Sequence, residues 1–489
     1  MLDRLKQEQN ITYTENGAAT YASSLSDCLD LFATIGALRA ADDEDIIKRF
    51  VRAYAEDKDR AVKILFFARD IRGGLGERRT FRTILRWMAN HEPQSVIKNL
   101  PHIAAFGRYD DLLVLLHTNC EGDVIRYIAD TLAEDLMKLD QGQEVSLLAK
   151  WLPSVNATNF DTRQTAKYLV KKLKMQERDY RRMLSRLRAK IQIIENHLRE
   201  KDYTFDYDTQ PAKALFKYRS AFARNDEARY NAYLDGVVKG ERKMNTDTLM
   251  PYEVIRDLTA LPYEINQKSV NKKAIQATWD VLPDYTDGRN AMAVIDGSAS
   301  MYWTGKPKPA AVALSLGIYF AERNKGVFHD HFITFSERPK LVQLKGKTVA
   351  DKVRYAMSFD ECANTNIQGV FDLILKTAVK NRLPQDQLPE TIYIISDMEF
   401  DDCADGADIT NFAKAKHAFA KQGYKLPQVV FWNVQSRNIQ QPVTMNEQGV
   451  VLVSGCTPKL FAQVTSGDYS PYDFMEEVIG SPRYSCIAA

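Results

Sequence analysis

Apolar and polar residues alternate along the first 280 or so positions at the three- and four-residue spacing of amphipathic helices. This spacing predicts helices over residues 44–54, 60–69, 80–88, 110–116 and 124–132. Glycine and proline interrupt the pattern between these segments, as they do between paired helices joined by short turns. No fixed repeat period is visible, so the helical solenoid that we predict for this half rests on the number and spacing of its helices.

After about residue 285 the pattern changes to short apolar runs that alternate with helical segments. We predict strands at 291–295, 328–335, 391–396, 428–434 and 449–453, and helices at 309–323, 348–358, 367–380, 410–422 and 457–465. Alternating strands and helices favour a mostly parallel, Rossmann-like sheet with helices on both faces. The predicted fold class is therefore α + α/β, with an all-helical domain at 1–285 and an α/β domain at 286–489.

Polar side chains follow two of the predicted strands. Asp296, Ser298 and Ser300 come directly after the first strand, Thr365 lies in a polar loop before a helix, and Asp397 ends a second strand. Because ligands of such sheets sit outside the carboxyl ends of the strands, we expect these side chains to converge. Their oxygens suit a small divalent cation. We predict that the three hydroxyls coordinate it directly and that the two aspartates bind the ion or its waters.

Two alternatives to a metal-docking site arise from the same residues. Asp296-Gly-Ser298 resembles the nucleophile loop of haloacid-dehalogenase-type phosphatases, but that chemistry places a second carboxylate where Ser298 stands. A metal-dependent hydrolase usually assembles several carboxylates or histidines, and no histidine lies near this site in sequence. We therefore predict no catalysis. Glu399, Asp401 and Asp402 follow Asp397 and either modulate the site or form a solvated acidic loop.

With these three motifs in this order, the C-terminal half resembles a von Willebrand factor A domain. Asp296, Ser298 and Ser300 match the first motif of its metal-ion-dependent adhesion site, Thr365 the second and Asp397 the third. The resemblance implies Mg²⁺ or another divalent cation such as Mn²⁺. Because few of the direct ligands are charged, we expect the ion to attract an external carboxylate or phosphate oxygen. This chain departs from the family in having alanine between the two serines, where glycine is usual.

Basic residues are concentrated between Arg163 and Lys201, where 13 basic residues stand against 4 acidic ones although the whole chain carries only +2. Segregated positive charge favours phosphate binding through counterion release, and the interleaved Tyr168, Tyr180 and His197 suit base stacking. The alternative is a solvated helix face. A second basic segment surrounds a glycine-rich turn near residue 74. The predicted RNA-binding residues are Arg72, Arg78, Arg79, Lys171, Lys172, Lys174, Arg178, Arg181, Arg182, Arg186, Arg188 and Lys190.

The helical half also resembles the TROVE module of the Ro autoantigen and its bacterial and phage relatives. The segments that carry this resemblance are Phe67–Arg79, Gly107–Asp111, Leu148–Ser154 and Leu215–Arg219. It implies a ring of HEAT-like helical repeats closed by the A domain, with single-stranded RNA ends in the central hole and structured RNA on a basic outer rim.

Composition narrows the class of protein. The chain is 45% hydrophobic and 27% charged, it lacks an apolar stretch of about 20 residues, and its start lacks the apolar core of a secretory signal. Six scattered cysteines argue against a zinc ribbon and a disulfide framework. We expect a cytoplasmic monomer without a membrane contact that acts as a scaffold for small non-coding or misfolded RNA. The alternative is an adaptor that grips an acidic protein partner at the metal site and binds no RNA.

Overall fold

A computed structural model of the chain describes residues 1, 9–259, 271–286, 288–303, 305–359, 366–401, 410–464 and 469–489. Within these ranges the first half consists mainly of helices, and none of the described helices is both long and apolar enough to span a bilayer. The α-helices are α1 (Asp27–Thr34), α2 (Asp43–Glu56), α3 (Lys58–Arg69), α4 (Arg79–His91), α5 (Pro93–Asn99), α6 (Ile103–Phe106), α7 (Glu121–Asp140), α8 (Leu148–Trp151), α9 (Phe160–Lys172), α10 (Glu177–Ile191), α11 (Ile194–Glu200), α12 (Ala212–Lys217), α13 (Arg219–Asn225), α14 (Glu227–Val238), α15 (Pro251–Ile255) and α16 (Lys272–Asp280).

The local sequence explains where helix α2 begins and which face it buries. The carboxylate of Asp42 accepts the N–H of Asp45 at 2.7 Å, which satisfies one of the free donors in the first turn. Ile46, Phe50 and Ala53 recur at three- and four-residue spacing and are fully buried. Helices α3 and α9 begin with the same kind of side-chain cap, whereas α4, α7 and α10 begin without one.

The second half contains a six-stranded sheet in the order β5-β4-β3-β6-β7-β8, in which only β5 runs antiparallel to its neighbour. The apolar side chains of β3 alternate between two cores, one shared with α18 and the other with α20 and α21. The elements are β3 (Ala291–Asp296), α17 (Ser300–Trp303), α18 (Pro309–Arg323), β4 (His331–Phe335), β5 (Leu341–Gln343), α19 (Val349–Met357), α20 (Ile367–Asn381), β6 (Thr391–Ser396), α21 (Asn411–Lys421), β7 (Gln428–Asn433), β8 (Val450–Ser454), α22 (Leu460–Gln463) and α23 (Pro471–Ile479).

The predicted fold class is confirmed at this level: helices first, then a mostly parallel sheet. Helix 309–323 and strand 391–396 have the predicted bounds. Most other elements begin or end one to three residues away from the predicted bounds, and the helix predicted at 124–132 extends over Glu121–Asp140. Three further elements differ more. The segment 110–116 is a 3₁₀-helix, the helix at 457–465 shortens to Leu460–Gln463, and β4 begins at His331 because Asp330 adopts a left-handed turn conformation with φ +57°.

The two halves are interlocked at both ends of the chain. A hairpin of β1 (Ile11–Tyr13) and β2 (Ala19–Tyr21) forms bridges to the second half through Gly17 and Tyr21. In the other direction, the guanidinium of Arg483 binds the buried Asp70 of the helical half. One hydrophobic core therefore continues across the predicted boundary at residue 285. The closed ring of repeats stays a prediction.

Close backbone contact between the halves gives a testable expectation at Gly36. Its N–H donates to Ser454 Oγ at 3.0 Å, and a Cβ there would lie 2.6 Å from the carbonyl oxygen of Ser454. Gly36→Ala should therefore lower the free energy of unfolding by about 1–3 kcal/mol through overpacking. Gly122→Ala is the matched control, since a Cβ there meets nothing within 4 Å. Chemical denaturation compares them, and equal stability of the two variants would contradict this packing.

Candidate functional site: a polar strand edge and a basic helix

Four of the five predicted metal-site residues lie where strands β3 and β6 end. Asp296 is the last residue of β3, Ser298 and Ser300 follow in the next turn, and Asp397 comes directly after β6. Ile295 of β3 pairs with Ile395 of the parallel strand β6, so both strands end at the same edge of the sheet. The fifth residue, Thr365, lies outside the described residues.

Hydrogen bonds hold the Asp296 carboxylate in one orientation. Its Oδ1 accepts the backbone N–H of Ser298 at 2.9 Å, and its Oδ2 accepts the hydroxyl of Ser396 at 2.5 Å. The Oγ atoms of Ser298 and Ser300 lie 3.1 Å apart. Ser396 was not predicted as a site residue, although it occupies the last position of β6 and therefore lies beside Asp296. The turn after β3 and the end of β6 thus both bind one carboxylate.

Burial makes this edge unfavourable for unbalanced negative charge. Burial raises the pKa of Asp296 from 3.8 to about 7, and the nearby charge of Asp397 adds to the effect. Burial also raises the pKa of Asp397, whereas the guanidinium of Arg437 and a hydrogen bond from Ser300 oppose that shift. Because burial makes both carboxylates costly to ionise, a cation bound beside them would stabilise their charged forms.

Arg437 is the cation that this structure already places at the edge. Its Nη2 lies 2.9 Å from Asp397 Oδ2, and its Nη1 lies 2.7 Å from a carboxylate oxygen of Glu15 in the N-terminal hairpin. Neither residue was predicted from the sequence, since Arg437 and Glu15 are separated from Asp397 by 40 and 382 positions respectively. An arginine therefore bridges the predicted metal site and a carboxylate from the other end of the chain.

The hairpin is fastened to the loop that follows Asp397. Glu399 is 3% exposed, and its carboxylate accepts the backbone N–H of Glu15 at 2.9 Å and the side-chain amides of Asn438 and Gln440 at the same distance. The interpretation of a solvated acidic loop is therefore wrong for Glu399. This residue instead anchors the hairpin, while Asp402 lies outside the described residues.

The donor set at this edge fits a hard divalent cation. Carboxylate and hydroxyl oxygens are the ligands that Mg²⁺ and Mn²⁺ prefer, with waters completing the shell. Within the described ranges, no cluster of three or more His, Cys, Asp or Glu side chains has the arrangement of a metal site. A site here would therefore use hydroxyls beside two carboxylates, so the ion would keep much of its charge for an external oxygen.

The second candidate surface is the exposed face of helix α10. Tyr180, Leu184 and Leu187 are buried against the helical core. Arg178, Arg181 and Arg182 lie on the opposite, exposed face, and in the part of the chain that the structure describes their guanidinium groups have no hydrogen-bond or ion-pair partner. Arginines that are free of carboxylates keep their full charge and geometry for a phosphate.

Other predicted RNA-binding cations divide into free and paired groups. Lys171 and Lys174, at the end of α9, are exposed and have no acidic partner among the described residues. In contrast, Lys172 pairs with Glu121, Arg186 with Asp140 at 2.7 Å, and Lys190 with Glu144 at 4.0 Å. Positive charge on this surface is therefore strongest between residues 171 and 182.

Two residues of the basic stretch have structural roles instead. Tyr180 is fully buried and its hydroxyl donates to Pro153 O at 2.9 Å, so its predicted stacking on a base is wrong. Arg188 donates to Ala149 O, Leu152 O and Ser154 Oγ and so orders the segment after α8. The predicted RNA-binding surface therefore includes neither Tyr180 nor Arg188 and consists of the remaining basic residues.

The glycine-rich segment between α3 and α4 is a tight turn with exposed arginines. A Cβ at Gly74 would lie 2.0 Å from Phe67 O, so only glycine fits. Arg72 donates to Ala105 O at 2.8 Å and Arg79 pairs with Asp43 at 2.6 Å. Arg78 is exposed as well. The structure thus places these three arginines in and beside the α3–α4 turn, on different elements from the α9–α10 cations.

Comparison with known proteins finds similarity over nearly the whole chain. An uncharacterized protein of Acanthamoeba polyphaga mimivirus is 28% identical over 96% of this chain and 87% of its own length. The crystal structure of the Deinococcus radiodurans RO (RSR) protein covers 93% of both chains at 14% identity, with a TM-score of 0.39. Residues 14–126 and 157–284 match a domain of unknown function (DUF2828), and residues 290–469 match another (DUF7788), so the chain is similar to two uncharacterised families placed one after the other.

Proposed function

We propose that this protein is a non-catalytic scaffold that binds small non-coding or misfolded RNA, with the face of α10 and the end of α9 as its main contact. The observation that carries this proposal is the set of five exposed cations without acidic partners in the described chain, Lys171, Lys174, Arg178, Arg181 and Arg182. Elsewhere on the surface cations are commonly paired, as Arg126 is with Asp123 and Lys376 with Asp372. Unpaired cations on one face favour a polyanion.

Filter binding of a small single-stranded RNA to the intact protein tests this proposal. Each neutralised phosphate of a single strand contributes about −0.7 to the slope of log affinity against log salt. Five contacts therefore predict a slope near −3.5. If the filter retains no RNA at low salt, or if the amount retained does not respond to salt, the scaffold function is rejected.

The proposal includes a divalent-metal docking site at the ends of β3 and β6. Asp296, Ser298, Ser300 and Asp397 would hold Mg²⁺ or Mn²⁺, with Thr365 as a further ligand. When bound, the ion offers a Lewis-acidic position to an external carboxylate or phosphate oxygen. The chain's own groups orient the site: Ser396 and the N–H of Ser298 fix the Asp296 carboxylate, and Arg437 balances Asp397. This arrangement follows the von Willebrand factor A-like domain that we predict for this half.

Arg437 gives this site a specific expectation. Removing its guanidinium leaves Asp397 buried without its cationic partner, so Arg437→Ala should lower the melting temperature of the metal-free protein. The same change removes a competitor for Asp397, so Mg²⁺ should raise the melting temperature of the variant more than that of the wild type. Differential scanning fluorimetry with and without Mg²⁺ measures both. A smaller Mg²⁺ response in the variant would show that Arg437 supports metal binding instead.

The absence of catalysis also follows as an expectation from the donor set. A phosphodiesterase would need more carboxylates or histidines around its metal than this edge supplies. RNA incubated with the protein and Mg²⁺ or Mn²⁺ should therefore be recovered at full length on a denaturing gel. Cleavage that disappears in an Asp296→Ala variant would overturn the non-catalytic assignment.

One observation favours the alternative, an adaptor that docks an acidic protein. Arg437 pairs with both Asp397 and Glu15, so an acidic side chain from another segment already lies at this edge. A glutamate-containing peptide that binds only with Mg²⁺, to a protein that retains no RNA, would favour this alternative. A monomeric, cytoplasmic protein with a TROVE-like ring of HEAT-like repeats remains our proposal for the assembly.

A further inference from the structure

A cavity of about 550 Å³ opens beside the basic face of α10. Its walls come from α10, from α11 and from the segment after α8, and the chain turns between the two helices at Gln192, which has a left-handed φ of +47°. Pockets of about 300–1,000 Å³ are the size that encloses small ligands. The cavity therefore has room for a single nucleotide.

The lining of this cavity carries polar groups that the protein itself does not use. Asn156, Ser185 and Gln192 line it, and among the described residues their side chains have no hydrogen-bond partner. Together they offer two amide groups and a hydroxyl, which both donate and accept hydrogen bonds. Such groups match the edge of a nucleobase, as asparagine and glutamine do in base recognition.

Most of the charged groups around the cavity are bound within the protein, including Arg188, which donates to backbone carbonyls. Arg199 lies 2.9 Å from Glu200, and His197 lies 2.9 Å from Asp202. Arg181 also lines the cavity but has no acidic partner in the described chain, and it belongs to the exposed basic face of α10. The cavity thus places three exposed, uncharged polar side chains beside an unpaired guanidinium on the surface where we place the RNA backbone.

We propose that this cavity takes one nucleoside of a bound RNA strand. Its base is hydrogen-bonded by Asn156, Gln192 and Ser185, and the adjoining phosphate lies on Arg181. The inference rests on the proposed RNA-binding function and adds to it a base-accepting site. Taking a base out of the stack costs least in single strands, so the site selects unpaired RNA over duplex.

Fluorescence anisotropy with a labelled 12-nucleotide single-stranded RNA tests the inference. Ser185→Trp fills the cavity, whereas Ser185→Ala leaves it open and is the matched control. We expect about a tenfold loss of affinity for Ser185→Trp, the size of a base contact, and a change of less than about twofold for Ser185→Ala. A 12-unit abasic oligomer, which has phosphates but no bases, should bind both variants alike. Asn156→Leu provides a second variant that removes a hydrogen-bonding group without adding bulk.

The outcomes separate this inference from the function on which it rests. Wild-type affinity in both Ser185→Trp and Asn156→Leu overturns the nucleoside site while the basic surface stands. An equal loss for the abasic oligomer also overturns it, since the substitution would then have disturbed the helix. Uridine monophosphate binding as tightly as the 12-mer would show a site for free nucleotides instead. If the wild-type protein binds no RNA, the proposed function fails together with the inference.

Discussion

Replacing Arg178, Arg181 and Arg182 together by alanine should weaken binding of single-stranded RNA by about tenfold to a hundredfold near physiological salt. These guanidinium groups are exposed and free of acidic partners in the described chain, so each is available for one phosphate. The loss of three contacts should also flatten the salt slope by about 2. Filter binding at four or more salt concentrations measures both effects.

A matched triple variant separates the effect of direct phosphate contacts from the effect of the protein's net charge. Arg126, Arg354 and Lys376 are exposed as well, but each is paired with an acidic residue three or four positions away on its own helix. Their replacement by alanine removes the same charge from other surfaces. Its salt slope should stay close to that of the wild type. If both triple variants flatten the slope equally, RNA responds to the overall charge and the assigned face is wrong.

Replacing Asp296 by asparagine should abolish the stabilisation that Mg²⁺ gives. A ligand at about 100 times its Kd stabilises the folded state by about 2.7 kcal/mol, which we expect as a rise of a few degrees in the melting temperature of the wild type. The variant lacks the central carboxylate and should show no rise, while its RNA affinity stays largely intact. Asp372→Asn, on the surface of α20, is the control and should respond to Mg²⁺ as the wild type does.

The same variant should be more stable than the wild type when metal is absent at pH 8. Because the pKa of Asp296 is about 7 in the folded protein and near 3.8 when unfolded, the metal-free wild type loses stability as the pH rises from 3.8 towards 7. Asparagine carries no charge and removes that loss. Urea denaturation in EDTA at pH 5 and pH 8 tests this, and an identical fall in stability for both proteins would contradict it.

Most of the sheet was predictable because its strands are buried on both faces. The centres of these strands, such as 392–395 and 429–432, are continuously apolar, so their length and flanking residues identify them as strands. The edge strand β5 and the N-terminal hairpin were not predicted, since three-residue strands are too short to show alternation. The hairpin is held by contacts across more than 380 residues, as between Thr14 and Phe400, and no local pattern reports these.

The residues of the candidate site were also predictable only in part. Asp296, Ser298, Ser300 and Asp397 were identified because motif spacing and strand ends are local features, whereas Ser396 and Arg437 act only through tertiary contacts. On α10 the helical spacing marked the exposed cations, but it gave no sign that Arg188 binds backbone carbonyls. Burial of Tyr180 follows from its position on the apolar stripe with Leu184 and Leu187, which a helical projection would have shown.

Ultraviolet crosslinking of the intact protein to RNA that contains 4-thiouridine, followed by mass spectrometry of the adducts, tests the RNA surface most directly. We predict that adducts map to peptides from residues 163–201, with the cavity residues beside α10 among them. Adducts found only in the C-terminal sheet or on the α3–α4 turn, or no adducts at all, would contradict the assignment of this face as the RNA-binding surface.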